Sequence, residues 1–98
     1  MNRSDVIDRL KDHAPELHRR GVVALHLFGS TQRGEAGPNS DVDLFLDYDP
    51  AKKFSLIDLA DVGLMLEEML GARVDLTTRD SLHPRLKARI EATAERVL

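Results

Sequence analysis

Apolar residues recur at helical spacing between Ser4 and Arg20, where Val6, Ile7, Leu10, Ala14 and Leu17 share one side. Ser4 is placed to cap this segment, with Asp5 and Asp8 near the positive end of the helix dipole. Pro15 has no amide hydrogen, so the pattern predicts two short helical pieces, stopped at Gly21. The period then changes. Val22 to Phe28 is a short, mostly apolar run bounded by Gly21 and Gly29, which predicts a buried strand. Ser30 to Gly34 reads as a tight turn into a short helix, and residues 35–40 as a loop. From Asp41 to Tyr48 the alternation is clean: Val42, Leu44, Leu46 and Tyr48 face one way, and Asp41, Asp43, Phe45 and Asp47 the other.

The second half repeats the two periods. Ser55 to Leu70 predicts a helix, with Ser55 and Asp58 at capping-box spacing and Gly71 as the stop. Its apolar arc is wide and takes in Leu56, Ile57, Leu59, Ala60, Val62, Leu64, Leu66 and Leu70, with Met65 and Met69 near the polar side. Most of this arc is expected on the sheet, and its width leaves part of it for a partner. Arg73 to Thr78 predicts a third strand, in which Asp75 points away from the face of Val74 and Leu76. Pro84 to Leu98 predicts a closing helix, with Leu86, Ile90, Ala94 and Val97 on one side. The expected fold is α+β: a small mixed sheet of three or four strands with helices packed on one face, in a single domain spanning residues 1–98.

Composition narrows the function classes. The chain has 14 basic and 17 acidic residues, a net charge of -3, and only three Phe, one Tyr and no Trp. Neither a basic surplus nor stacking platforms are present, so direct nucleic-acid binding is not expected. Cysteine is absent, which excludes disulfides and thiolate-bound zinc and fits a reducing, cytoplasmic location. No apolar run reaches the ~20 residues of a membrane span.

The acidic surplus matters because of where three carboxylates fall. Asp41 and Asp43, two apart on one strand, share a face, and Asp75 interrupts an otherwise apolar strand elsewhere. If the strands are neighbours the three converge, and their repulsion calls for divalent cations. Mg²⁺ suits such a set, since it takes carboxylate oxygens together with substrate phosphates. Leu27-Phe28-Gly29-Ser30 supplies the complement. Gly29 lets backbone approach a ligand, Ser30 opens a short helix with free N–H groups, and Arg33 stands one turn further on. Metal-bound carboxylates opposite a phosphate cradle suit two-metal in-line phosphoryl transfer.

These residues carry a family resemblance. Gly29-Ser30, ten residues, then Asp41-Val42-Asp43 resembles the fingerprint of the DNA polymerase beta-type nucleotidyltransferase superfamily. The fuller set Phe28-Gly29-Ser30, Arg33-Gly34 and Ser40-Asp41-Val42-Asp43-Leu44 is similar to its MNT-type minimal branch. The resemblance implies that Gly29 and Ser30 hold the terminal phosphates of a nucleoside triphosphate. It implies that Asp41 and Asp43 ligate two Mg²⁺ ions, and that Asp75 completes one metal site and helps activate the acceptor hydroxyl. It further implies transfer of AMP from ATP to a tyrosine hydroxyl of a helical HEPN-type toxin, with this chain as the antitoxin, in a hetero- or homo-oligomer. Two other functions stay open: neutralisation of a partner by binding alone, and nucleotidylation of a small molecule such as an aminoglycoside.

The remaining polar residues read as structural. Arg33 can pair with Glu35 or Asp41 instead of a phosphate, and Asp47 reads as a surface residue. His13 and His18 fit a helix surface, and His26 a satisfied place on the sheet.

Overall fold

The computed structural model describes residues 2–35 and 41–98. Beyond Glu35, the expected loop lies outside the described residues, as does Ser40 of the motif.

Two short helices open the chain, α1 (Arg3–Asp12) and α2 (Ala14–Arg19), broken where the proline requires it. The cap of α1 differs from expectation. Asn2 performs it, its side chain accepting from the Asp5 amide at 2.9 Å, and Ser4 already lies inside the helix. Asn caps as well as Ser does and stands two residues earlier. The chain then forms β1 (Val22–Phe28), the single-turn α3 (Gly29–Gln32), β2 (Val42–Tyr48), α4 (Leu56–Leu70), β3 (Val74–Thr78), a 3₁₀ turn (Arg79–Ser81), α5 (Pro84–Thr93) and β4 (Glu95–Arg96).

The four strands form one mixed sheet in the order β3-β2-β1-β4. β1 runs antiparallel to β2 and β4, while β2 and β3 are parallel. A parallel pair needs a crossover, and α4 is that crossover. Both its ends follow the sequence. Ser55 and Asp58 close a reciprocal capping box, and Gly71 takes the left-handed conformation at φ +64°.

One sheet face carries the core. Leu25, Leu27, Leu44 and Leu46 meet Val6, Leu10 and Leu17 from α1 and α2, and Val62, Leu66 and Leu70 from α4. Met65 and Met69 pack against this core, partly buried. The wide apolar arc of α4 is not all used: Leu56, Ile57 and Leu64 are exposed.

The closing helix ends earlier than its periodicity suggests. Ala94 is already extended, and Thr93 turns its hydroxyl back to the Arg89 carbonyl at 2.9 Å. The chain then pairs with the open edge of β1, where Val97 N–H donates to the Leu25 carbonyl at 2.8 Å and the Val97 side chain is buried. An unpaired strand edge accounts for the change, because a strand satisfies its backbone groups and a further helical turn would not.

Candidate active site

The second sheet face holds the predicted chemistry. β1 ends at Phe28, and Gly29 turns the chain into α3 with φ +76°. A side chain is excluded there twice over. The backbone is left-handed, and a Cβ would stand 2.1 Å from Asp43 Oδ2. Phe28 is the cross-strand partner of Asp43, and Asp43 is in parallel register with Asp75. The turn and two of the carboxylates therefore lie in one row across three strands, with neighbouring strands about 4.8 Å apart.

Asp43 occupies the centre of this row and is partly buried. Burial pushes its carboxyl above the usual range, and the charges of Asp75 and Asp41 add to the rise; Arg33 opposes them. Asp75 is exposed on β3. Asp41 precedes β2 and is drawn to Arg73, with Nε to Oδ1 at 3.6 Å. Among the described residues no three acidic or histidine side chains are gathered closely enough to enclose an ion. What is present is a row of hard oxygen donors of like charge, only partly offset by Arg73 and Arg33, with Asp43 partly sheltered from water. That donor set suits a divalent cation such as Mg²⁺, which takes a few carboxylates and completes its shell from substrate and water.

Ser30 lies in the first turn of α3, half-buried, directly after the excluded side chain of Gly29. Arg33 pairs with Glu35 at 3.2 Å on the surface, one of the two partners expected for it. It also borders a groove of about 430 Å³ together with Phe28, Gly29 and α5.

A second cluster on this face was not foreseen. Asp47, read as a surface residue, accepts two bonds from Arg79, at 2.7 and 3.0 Å, and one from His26 Nε2 at 3.0 Å. Arg79 also bonds Glu91 of α5 at 2.6 Å, and its guanidinium lies 5.0 Å from the centre of the Phe45 ring. His26 stacks on the other side chain of that row, with ring centres of His26 and Phe45 4.5 Å apart. His26 is thus satisfied on the sheet, as expected. The available signal was that Asp47 shares the face of Phe45 and Asp43; its partner, 32 residues away, carried none. The other histidines serve the backbone. His13 and His18 bond the carbonyls of Arg9 and Val22, and the His83 side chain caps α5.

Known proteins share the fold. A sequence profile of the nucleotidyltransferase domain matches residues 7–97. The chain belongs to the nucleotidyltransferase domain family. As a nucleotidyltransferase it is an enzyme of the transferase class. A Methanocaldococcus jannaschii protein provisionally assigned as protein adenylyltransferase MJ0435 is 42% identical over 84 residues, covering 86% of this nucleotidyltransferase and 88% of that protein. Protein adenylyltransferase MntA of Thermococcus cleftensis is 42% identical over 74 residues, covering 74% of this chain and 73% of its own. A solved structure provisionally assigned as a minimal nucleotidyltransferase superposes with a TM-score of 0.82 at 34% identity, over 97% of this chain and 95% of that one. A structure of a tri-AMPylated Shewanella oneidensis HEPN toxin in complex with an MNT antitoxin shares the fold, with a TM-score of 0.60 at 21% identity, over 99% of this nucleotidyltransferase and 69% of that chain. Among the described residues, no helix is long and apolar enough to cross a membrane.

Proposed function

We propose that this chain, acting as a single minimal domain in the cytoplasm, transfers AMP from ATP to a hydroxyl of a partner protein. The acceptor in this reading is a tyrosine of a HEPN-type toxin, and the modification silences it. The observation that carries the reading is the Phe28-Asp43-Asp75 row, with Gly29 pressed against the Asp43 carboxylate. The adenylyltransferase relatives at 42% identity support AMP as the transferred group. The toxin complex supports the acceptor class by fold alone.

Each residue has a part. Gly29 and Ser30 present backbone and hydroxyl donors to the terminal phosphates. Arg33 supplies a cation at the groove's edge. Asp41, Asp43 and Asp75 would hold two Mg²⁺ ions, which supply charge neutralisation of the phosphates when bound. In this reading Asp75, exposed on β3, helps to activate the incoming hydroxyl by taking its proton. The acceptor oxygen forms a bond to the α-phosphorus, the bond to the bridging oxygen breaks, and pyrophosphate leaves with the electron pair.

The test is transfer of label from α-labelled ATP onto a co-purified HEPN-type partner, with Mg²⁺ present, by the wild type and by Asp43→Asn. The expected result is one or more adenylyl groups on a partner tyrosine with the wild type, and at least a ~10²-fold loss with the variant. Neutralisation of the partner that survives Asp43→Asn without any transfer would leave a binding antitoxin. Label on a small aminoglycoside but not on protein would move the acceptor class.

A further inference from the structure

α5 carries no fully buried residue, so no apolar stripe fixes it to the sheet. Leu86, Arg89, Ile90 and Thr93 share one helix face at the i, i+3, i+4, i+7 spacing, with Ile90 half-buried and the other three exposed. Instead of entering the core, they line the groove of about 430 Å³ whose other side is Phe28, Gly29 and Arg33. Apolar walls at Leu86, Ile90 and Phe28 suit a heteroaromatic ring, and guanidinium groups at Arg33 and Arg89 suit phosphates. The size falls within the range of small-ligand sites.

The ends of α5 are pinned by Leu82 and Val97, both buried. Its last turn is held by charge. Glu91 accepts from Arg79, which is in turn forked onto Asp47 of β2 and lies over Phe45. All three charged side chains are about one-third exposed. A two-bond guanidinium–carboxylate contact at that depth fixes orientation better than a single exposed pair does.

We propose that Arg79 is a positioning residue that, through Asp47 and Glu91, holds α5 as the outer wall of the nucleotide groove and so sets affinity for the nucleoside triphosphate. This rests on the nucleotidyl-transfer reading above. Arg79 itself faces the sheet and Glu91 rather than the groove, so its effect on the ligand passes through α5.

The test uses the full chain and measures KM for ATP, kcat, equilibrium binding of Mg·ATP by calorimetry, and thermal midpoint. Arg79→Met is expected to raise both KM and the dissociation constant about tenfold, with kcat within about twofold. Arg79→Lys, which keeps the charge but loses the fork, is expected to recover part of the affinity. Glu91→Gln is expected to shift KM in the same direction by less, and the double variant Arg79→Met with Glu91→Gln to be no weaker than Arg79→Met alone. A lowered thermal midpoint with KM unchanged would show a merely structural contact and overturn the proposal. So would additive effects of the two changes. If Arg79→Met does not fold, Glu91→Gln decides alone, since it leaves the Arg79–Asp47 fork intact. Wild-type chain that binds and uses ATP while the variants match it sinks the positioning role and leaves the transfer reading standing. Wild-type chain that does not bind Mg·ATP sinks both.

Discussion

Gly29 and Asp43 are one steric unit. With φ +76° and a carboxylate oxygen where a Cβ would go, Gly29→Ala must either move Asp43 or unwind the turn. The left-handed backbone alone costs roughly 1–2 kcal/mol. Transfer activity is expected to fall about a hundredfold, more than that stability loss would produce in a still-folded protein. Activity assay beside a urea melt separates the two effects. Asp47 makes the opposite electrostatic statement from Asp43. Hydrogen bonds from Arg79 chiefly, and from His26 less, hold its carboxyl below its ordinary 3.8, against the opposing effect of burial. A carboxyl lowered on folding contributes stability above its unfolded value and loses it as pH falls through the folded one. Wild-type stability in urea should therefore decline as pH drops from roughly 4 towards 2, while Asp47→Asn, weaker at pH 7, should show a shallower decline over that window.

Among the elements, those with local signals were legible in the sequence and those with distant partners were not. The broken first helix follows from Pro15, and both ends of α4 follow from Ser55, Asp58 and Gly71. All three strands of the sequence reading appear within a residue of their expected bounds. β4 was read as the end of a helix because Ile90, Ala94 and Val97 keep helical spacing, and spacing carries no record of an open sheet edge 70 residues earlier. The energetic weight of this terminal segment lies in Val97, directly after β4 and 5% exposed against the core. Val97→Ala should cost roughly 1.5–3 kcal/mol in chemical denaturation, whereas an equivalent change at an exposed position of α4 such as Leu64 should cost little. Equal losses at the two positions would show that the terminal strand is not part of the folded unit. The same reasoning explains the α4 arc. Leu56, Ile57 and Leu64 carry the hydrophobicity of core residues, but one helix face suffices to cover this small sheet.

For the molecule as a whole, function and stability compete at the Asp row. A carboxyl raised on folding opposes folding at neutral pH, because the unfolded chain ionises more readily. Asp43, raised by burial and by Asp75 and Asp41, is in that position. Asp43→Asn should therefore abolish transfer and yet raise the metal-free thermal midpoint, by roughly 4–8 °C for each kcal/mol of strain removed in a domain of this size. Millimolar Mg²⁺ with ATP should raise the midpoint of the wild type and leave that of the variant nearly unchanged, since only a site that binds the native state shifts its stability. A scanning-fluorimetry series reads both effects. A variant that melts lower than the wild type without metal would mean that Asp43 is a stabilising structural residue.

The chain's order of residues was enough to determine the fold class, the turn at Gly29 and the family to which the chain belongs. All of these are set by spacing within a few residues, where backbone geometry leaves few choices. The tertiary structure alone decided that Asp75 stands beside Asp43, that Asp41 leans to Arg73, and that Arg79 ties Asp47 to Glu91. Asp43 with Asp75, Asp41 with Arg73 and Asp47 with Arg79 each join residues 32 apart, and Arg79 with Glu91 joins residues 12 apart. Register between distant strands depends on how the whole core closes, and local periodicity does not encode it.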